Sequence, residues 1–199
     1  MVRFWLLMVF SLCIICTTCY SSRYDPAFNV LIKYEGNTYH NNPKDPGGPT
    51  KFGWTLQSYR STVSQNATKT TIQNLTKSKA KELYKKYWWK KYGASKIKDQ
   101  ELATSLLLAQ VNMGPSNPNR VIQDATNDLC DYNLDMDGIL GSVSIKAINH
   151  CSRAAEGFPY YLHMIFTDNP QAYTVWDWAK KGLRNRIFHF EDREILCSD

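Results

Sequence analysis

The sequence predicts a mainly α-helical protein with one irregular, turn-rich segment near its start. After residue 24, apolar residues recur at intervals of three and four along most of the chain, which is the period of a helix with one buried face. Thr76 and Asp99 stand directly before two of these stretches, as helix N-caps do. Residues 36–58 have no sustained period and are dense in glycine and proline, which predicts a loop with room for a small hairpin.

The first 20 residues are typical of a secretory signal. Arg3 precedes an apolar run over residues 4–16, and small residues follow up to Cys19. The run is short for a membrane span, so we expect removal of the segment and no stable span afterwards. A retained anchor and a lipid-modified Cys19 are the alternatives.

The first helix is predicted to begin with Asp25 as N-cap and Pro26 at the first helical position. Four residues then share one face at helical spacing: Phe28, Leu31, Ile32 and Glu35. Glu35 therefore ends an apolar stripe. A carboxyl group that is partly removed from water has a raised pKa in general, which suits a general acid. The alternative is a surface glutamate at a fraying helix end.

The remaining elements are predicted to be helices. Residues 61–74 are polar and predict an exposed connection, and Thr76 then caps a helix that Gly93 ends. The apolar stripe of that helix is Ala80, Leu83, Tyr84, Tyr87 and Trp88. Later helices are expected to begin at Asp99, at Pro118 and after Gly141. Pro159 and Pro170 are expected to begin two more, over residues 160–166 and 171–190. A soft domain boundary is expected near residues 94–100.

Charge changes sign at that boundary. Residues 23–98 hold 15 Lys and Arg against 4 Asp and Glu, whereas residues 99–199 hold 8 against 14. A basic first half favours an anionic polymer as partner, although a solvated lysine-rich helix explains much of it. No zinc-finger spacing, helix-turn-helix pattern or RNA-binding aromatic motif supports nucleic acid binding.

Cysteine and histidine spacing does not predict a metal site or a cofactor. Residues 133–138 resemble the start of a calcium loop, but Asn133 and Ser144 stand where Asp and Glu are needed, so a capped turn before a helix is expected. Cys130 and Cys151 are a candidate disulfide that would leave Cys197 free. Three buried reduced cysteines are the alternative.

Candidate chemistry lies in residues 35–55. The rigid loop after Glu35 presents the carboxylate of Asp45 and the hydroxyl of Thr50, a combination that predicts a hydrolase site. For Asp45 the alternative is a cap on the turn before proline. For Thr50 it is a hydrogen bond within the loop.

These residues resemble the glycoside hydrolase family 108 N-acetylmuramidases, bacterial and phage lysozymes of which some are described as secretion activators. The family signature is Glu-Gly-Gly-Tyr followed by Asp-Pro-Gly-Gly-x-Thr-x-x-Gly-x-Thr, and residues 45–55 match its second part. The first part departs from it, with one residue inserted and one glycine lost between Glu35 and Tyr39. Further likeness lies at residues 75–80 and 84–88.

The second half resembles the helical peptidoglycan-binding domain that follows in the family. Residues 111–114, 121–123, 137–141 and 182–186 carry this likeness, and Leu108 stands where an Asp is common. The resemblance thus implies a lysozyme-like helical domain at 24–98 and a helical peptidoglycan-binding domain at 99–192.

By resemblance, Glu35 is the general acid that cleaves the bond between N-acetylmuramic acid and N-acetylglucosamine. Likeness to phage-type lysozymes gives Asp45 the role of stabilising positive charge or activating water, and Thr50 that of positioning water. Tyr39 lines the groove or simply packs. The implied protein is a monomeric, secreted or periplasmic muramidase without a cofactor that acts on peptidoglycan strands. A lytic transglycosylase and a catalytically decayed peptidoglycan-binding protein are the rivals.

Overall fold

The computed structural model describes residues 22–43 and 45–168, with side chains described through residue 162. The predicted signal at 1–20, the predicted helix at 171–190, the motif at 182–186 and Cys197 lie outside the described residues. The described α-helices are α1 Tyr24–Glu35, α2 Leu56–Thr62, α3 Lys69–Gln73, α4 Lys77–Tyr84, α5 Gln100–Met113, α6 Ser116–Cys130, α7 Ser142–His150 and α8 Ala154–Asp168. A π-helical stretch follows α4 at Lys85–Lys90, and a 3-10 turn lies at Ala94–Lys96.

The predicted class, mainly α with a small hairpin, is confirmed. Strands β1 (Thr50–Lys51) and β2 (Trp54–Thr55) pair antiparallel inside the turn-rich segment. Two helix starts are also confirmed by their capping bonds. The side chain of Thr76 accepts from the Lys79 amide, and that of Asp99 accepts from the Leu102 amide.

Three proline-based helix starts were wrong. Helices α1 and α6 begin two residues before Pro26 and Pro118, so each proline occupies the third helical position. The first four amides of a helix have no partner within it, and proline there costs no hydrogen bond. Pro159 lies inside α8 instead of starting it, between the buried side chains of Phe158 and Leu162. We attribute the tolerance of this interior proline to their packing in the core.

Helices α2 and α3 lie where the sequence predicted a loop and an exposed connection. Threonine side chains cap the start of both helices. Thr55 accepts from the Ser58 amide at the start of α2, and Thr68 and Thr71 form a reciprocal capping box at the start of α3. Ile72 is fully buried and fixes α3 to the core. With one buried apolar residue in five, α3 shows no helical periodicity, so the sequence did not predict it.

The π-helical stretch changes which tryptophan is buried. The sequence placed Trp88 on the inner face of the helix that begins after Thr76, four residues after Tyr84. Instead Trp89, five residues after Tyr84, is buried, and Trp88 is half-buried. A π-helix bonds each residue to the fifth along, so the buried face moves by one position.

The predicted boundary at residues 98–99 falls between the 3-10 turn and α5. Helix α5 packs against α1 on one side and α6 on the other, and buried residues on both sides of the boundary form one contiguous cluster. The division into domains at 24–98 and 99–192 stays a prediction.

The Cys130–Cys151 disulfide is present and joins the end of α6 to the end of α7. Its Cα atoms are 5.8 Å apart, within the usual range for a disulfide. Of the two alternatives drawn from the sequence, the structure thus has the bridged one.

Candidate active site

Glu35 is the last residue of α1, and its position follows from the apolar face of that helix. Phe28 and Leu31 are buried, Ile32 is half-buried, and Glu35 continues the same stripe. The Glu35 side chain is half-buried, with its Oε1 atom removed from solvent. The predicted placement of Glu35 at the end of a buried stripe is thereby confirmed, while its catalytic role stays a prediction.

The turn of the β-hairpin lies directly against the Glu35 carboxylate. Phe52 and Gly53 connect the two strands, and both have positive φ, 52° and 75°, as a type I′ turn requires. A Cβ atom on Gly53 would collide with Oε2 of Glu35 and would lie 2.8 Å from its Cδ. The carboxylate therefore occupies space that is open only because residue 53 is glycine.

Tyr84 of α4 holds this turn in place. Its hydroxyl donates to the Phe52 carbonyl oxygen at 3.0 Å, and its ring packs on that of Trp54 with centroids 5.3 Å apart. A Cβ atom on Gly53 would collide with the Tyr84 hydroxyl as well. Three elements thus meet at one point: the end of α1, the hairpin turn and the end of α4.

Sequence reasoning missed Gly53 and Tyr84 as residues of the site. Tyr84 looked like one more member of an apolar stripe. In the sequence, Gly53 is only the glycine of the Gly-x-Thr end of the family signature. The signature does not indicate which residue this glycine contacts.

Asp45 and Thr50 form hydrogen bonds within their own loop. The Asp45 Oδ1 atom accepts from the Gly47 amide at 2.8 Å, and the Thr50 hydroxyl donates to the Gly48 carbonyl at 2.9 Å. Both bonds match the structural alternatives drawn from the sequence. They fix the backbone of the loop, and the catalytic roles of Asp45 and Thr50 stay predictions.

The hairpin links this loop to Glu35. Thr50 lies in β1, three residues before Gly53, so the backbone between them spans at most about 11 Å. The loop also packs on the start of α2, where the Leu56 amide donates to the Pro49 carbonyl oxygen at 2.8 Å. Glu35 thus contacts the turn of the hairpin whose first strand contains Thr50, and Asp45 lies in the turn before that strand.

Tyr39 lies beside the hairpin. Its neighbour His40 forms an isolated bridge with Thr50, with both backbone hydrogen bonds at 2.8 Å. The Tyr39 ring packs against the core, and its hydroxyl is buried without a hydrogen-bond partner in the described part of the chain. This matches the packing alternative, and a role in the groove stays a prediction.

A basic surface extends from α4 beyond the site. Residues 77–98 contain nine lysines and a single acid, Glu82. Within the described residues, two of these lysines form salt bridges, Lys79 with Glu82 and Lys81 with Asp25. The other lysines leave a positive field that attracts anionic polymers over a distance of about 10 Å at ordinary salt.

The described residues contain no group of three or more His, Cys, Asp or Glu side chains that could hold a metal ion. Residues 133–138, which resemble the start of a calcium loop in sequence, end in a turn. In this turn Oδ1 of Asp137 accepts from the Ile139 amide at 2.8 Å. Across the same part of the chain, no helix has the length and apolar character needed to cross a membrane.

Comparisons with known proteins place this geometry in context. Residues 28–114 match the family model described as glycosyl hydrolase 108, a range that includes Glu35, the hairpin and Tyr84. The solved structure of SagA from Brucella abortus is similar, with a TM-score of 0.70 at 22% sequence identity over 88% of this chain and 95% of that chain. At this identity the likeness shows the fold. A search of curated proteins finds no match.

The structural likeness agrees with the fold class predicted from the sequence, and the family match supports glycoside hydrolysis as the type of reaction. Residues 28–114 of this chain thus match the glycosyl hydrolase 108 family model over the segment that holds the candidate site.

Proposed function

We propose that the protein is a muramidase that hydrolyses the β-1,4 bond between N-acetylmuramic acid and N-acetylglucosamine in peptidoglycan. The observation that carries the proposal is the position of Glu35 within the matched family segment, with one carboxylate oxygen buried and the other against the hairpin turn. The proposed site of action is secreted or periplasmic, because peptidoglycan lies outside the cytoplasmic membrane.

Glu35 acts as the general acid. Its proton passes to the glycosidic oxygen as the bond to C1 of N-acetylmuramic acid breaks, and water adds its hydroxyl to C1, which leaves a new reducing end. The remaining proton of the water passes to Asp45 or back to Glu35, so that Glu35 is protonated again for the next cycle. Asp45 stabilises the positive charge on the ring or activates the water, and Thr50 positions that water. The peptide stems of peptidoglycan carry carboxylates, to which the basic surface of residues 77–98 is complementary.

The test is a digestion of purified cell walls followed by mass spectrometry of the soluble products. Wild-type protein is expected to release muropeptides with reducing ends. Glu35→Gln should lower the rate by a factor of about 10²–10⁴ while the circular dichroism spectrum is unchanged. Glu156→Gln, which alters an exposed glutamate of α8, is the matched control and should retain full activity. Lysis by the Glu35→Gln protein at the wild-type rate contradicts the assignment.

One observation favours a second candidate function. The hydrogen bonds of Asp45 and Thr50 within their loop give both residues a structural task. A lytic transglycosylase can work with one glutamate and needs neither residue for water. Anhydro-muramyl products in the digestion would identify that reaction. A protein that sediments with sacculi and releases no soluble products would instead be a binding protein that has lost catalytic activity.

A further inference from the structure

Residues 85–92 consist entirely of lysines and aromatic residues. Four lysines and four aromatic residues follow one another in the order Lys-Lys-Tyr-Trp-Trp-Lys-Lys-Tyr. This Lys–aromatic segment covers the π-helical stretch and the two residues after it. It contains no acid, and none of its lysines forms a salt bridge with the described residues. Its four ammonium groups are therefore available to an anionic partner.

The lysines of the segment share one face. All four are exposed, whereas Trp89 between them is buried. A π-helix bonds each residue to the fifth along, so residues four and five apart are neighbours on its surface. Lys85 and Lys90 are five apart, and so are Lys86 and Lys91, while Lys86 and Lys90 are four apart. The four charges thus form a single cluster on the solvent side of the helix.

A row of aromatic side chains lies beside this cluster. Tyr87, Trp88 and Tyr92 are half-buried, so part of each ring remains in contact with solvent. The ring centroids of Trp88 and Tyr92 are 5.6 Å apart. Nζ of Lys86 lies 4.7 Å from the centre of the Tyr87 ring, and Nζ of Lys91 lies 5.1 Å from that of Tyr92. Lysines and rings therefore form one continuous surface, in which cation–π contacts hold two of the ammonium groups.

This surface fits an anionic lipid bilayer better than a nucleic acid or a glycan. Tyr and Trp are enriched where lipid headgroups meet acyl chains, and clustered lysines bind anionic headgroups. Nucleic acid bases stack on free ring faces, whereas lysines cover a face of Tyr87 and of Tyr92. Sugar hydroxyls need acceptors as well as donors, but lysine only donates and the segment has no acidic or amide side chain.

We propose that the Lys–aromatic segment docks the protein on an anionic phospholipid surface without crossing it. The ammonium groups contact headgroup phosphates, and the exposed parts of the rings lie at the boundary between headgroups and acyl chains. The segment directly follows Tyr84, whose hydroxyl holds the hairpin turn. A docked protein would therefore keep its candidate site close to the lipid surface.

The experiment measures binding of the full chain to lipid vesicles by sedimentation. One set of vesicles is phosphatidylcholine alone, and the other is an equal mixture of phosphatidylcholine and phosphatidylglycerol. The apolar residues 4–16 would bind both sets, so the ratio of the two affinities reports the charged surface. Wild-type protein is expected to bind the anionic set about 10²-fold more tightly, since each lysine near such a surface contributes a factor of about 5.

The double variant Lys90→Gln, Lys91→Gln should lower this ratio by about 25-fold. The matched control is the double variant Lys69→Gln, Lys146→Gln, which removes two exposed lysines of α3 and α7 and thus the same net charge. Because those lysines lie outside the segment, the control should change the ratio by less than about twofold.

Vesicles with brominated acyl chains test the contact of the rings, because bromine quenches the fluorescence of a nearby tryptophan. Trp88→Phe should lower the fraction of the fluorescence that these vesicles quench. Trp89→Phe removes the adjacent tryptophan, which is buried in the core, and should not lower that fraction. Phenylalanine keeps a ring at either position, and circular dichroism will verify that both variants fold.

Equal affinity of the wild type for the two sets of vesicles overturns the proposal, and so does an equal loss in the Lys90, Lys91 variant and its control. Binding to soluble polyphosphate as tight as to anionic vesicles, or quenching that Trp88→Phe leaves unchanged, would assign the segment to an anionic polymer instead. Release of reducing ends from cell walls tests the muramidase function separately, so either proposal can fail while the other stands.

Discussion

Substitution of Gly53 by alanine tests whether the hairpin turn positions the Glu35 carboxylate. The new Cβ atom would lie 2.8 Å from the Glu35 Cδ atom, and ordinary contacts of a Cβ atom are 3.4–4 Å. The carboxylate or the turn must therefore move by about 1 Å, and a displacement of this size at a reacting group costs about 10²-fold in rate. Alanine at positive φ costs a further 1–2 kcal/mol of stability, roughly, from backbone strain.

Gly114→Ala separates these two effects. Gly114 follows α5 with φ of 78°, and a Cβ atom there has no neighbour within 4 Å. Alanine is strained there too, since φ of 78° with ψ of 160° is a conformation that only glycine adopts readily, but no carboxylate is displaced. We expect Gly53→Ala to lose about 1–2 kcal/mol and Gly114→Ala about 1–3 kcal/mol in urea unfolding. Only Gly53→Ala is expected to lose muramidase activity, measured as release of reducing ends from cell walls. Equal activity of the two variants would refute the positioning role of the turn.

Three further predictions concern stability. Replacing Cys130 and Cys151 by alanine should lower the free energy of unfolding by about 3 kcal/mol, because the bridge closes a loop across 21 residues; urea titrations with and without reductant will measure it. Asp99→Ala should cost about 1 kcal/mol in the same titrations through loss of the α5 cap, and Asp99→Asn should restore most of it. Burial and the nearby Asp128 carboxylate raise the pKa of Asp124, so the folded state binds this proton more tightly than the unfolded state and loses stability as pH rises through the folded pKa. Asp124→Asn should therefore stabilise the protein by a few tenths of a kcal/mol at pH 7, and the gain should vanish in unfolding measured below the unfolded pKa of about 4.

Local sequence signals predicted most of the helices. Capping residues such as Thr76 and Asp99 act on amides three residues away, so their effect is readable without knowledge of the fold. The helix starts predicted from prolines were wrong for a related reason. Proline is compatible with the whole first turn of a helix, and its presence does not indicate which residue begins the turn.

The candidate site was only partly predictable. Glu35 was found because helical spacing and the signature motif agree on it. Asp45 and Thr50 were found by residue type, but their hydrogen bonds to Gly47 and Gly48 depend on the path of the loop. Gly53 packs against Glu35 only after the hairpin folds onto α1, and no local pattern reports such a tertiary approach.

The π-helical stretch at Lys85–Lys90 has a consequence for how the chain tolerates deletions. Loss of one residue between Tyr84 and Trp89 would favour an ordinary α-helix, because Trp89 would then stand four residues after Tyr84 and lie on the same face. Trp89 would stay in the core, and Tyr92 would keep its position beside the Gln110 side chain, which donates to its carbonyl oxygen at 3.0 Å. The π-helical stretch thus acts as a single inserted residue, and sequences that keep the fold are expected to include some that lack one residue between Tyr84 and Trp89.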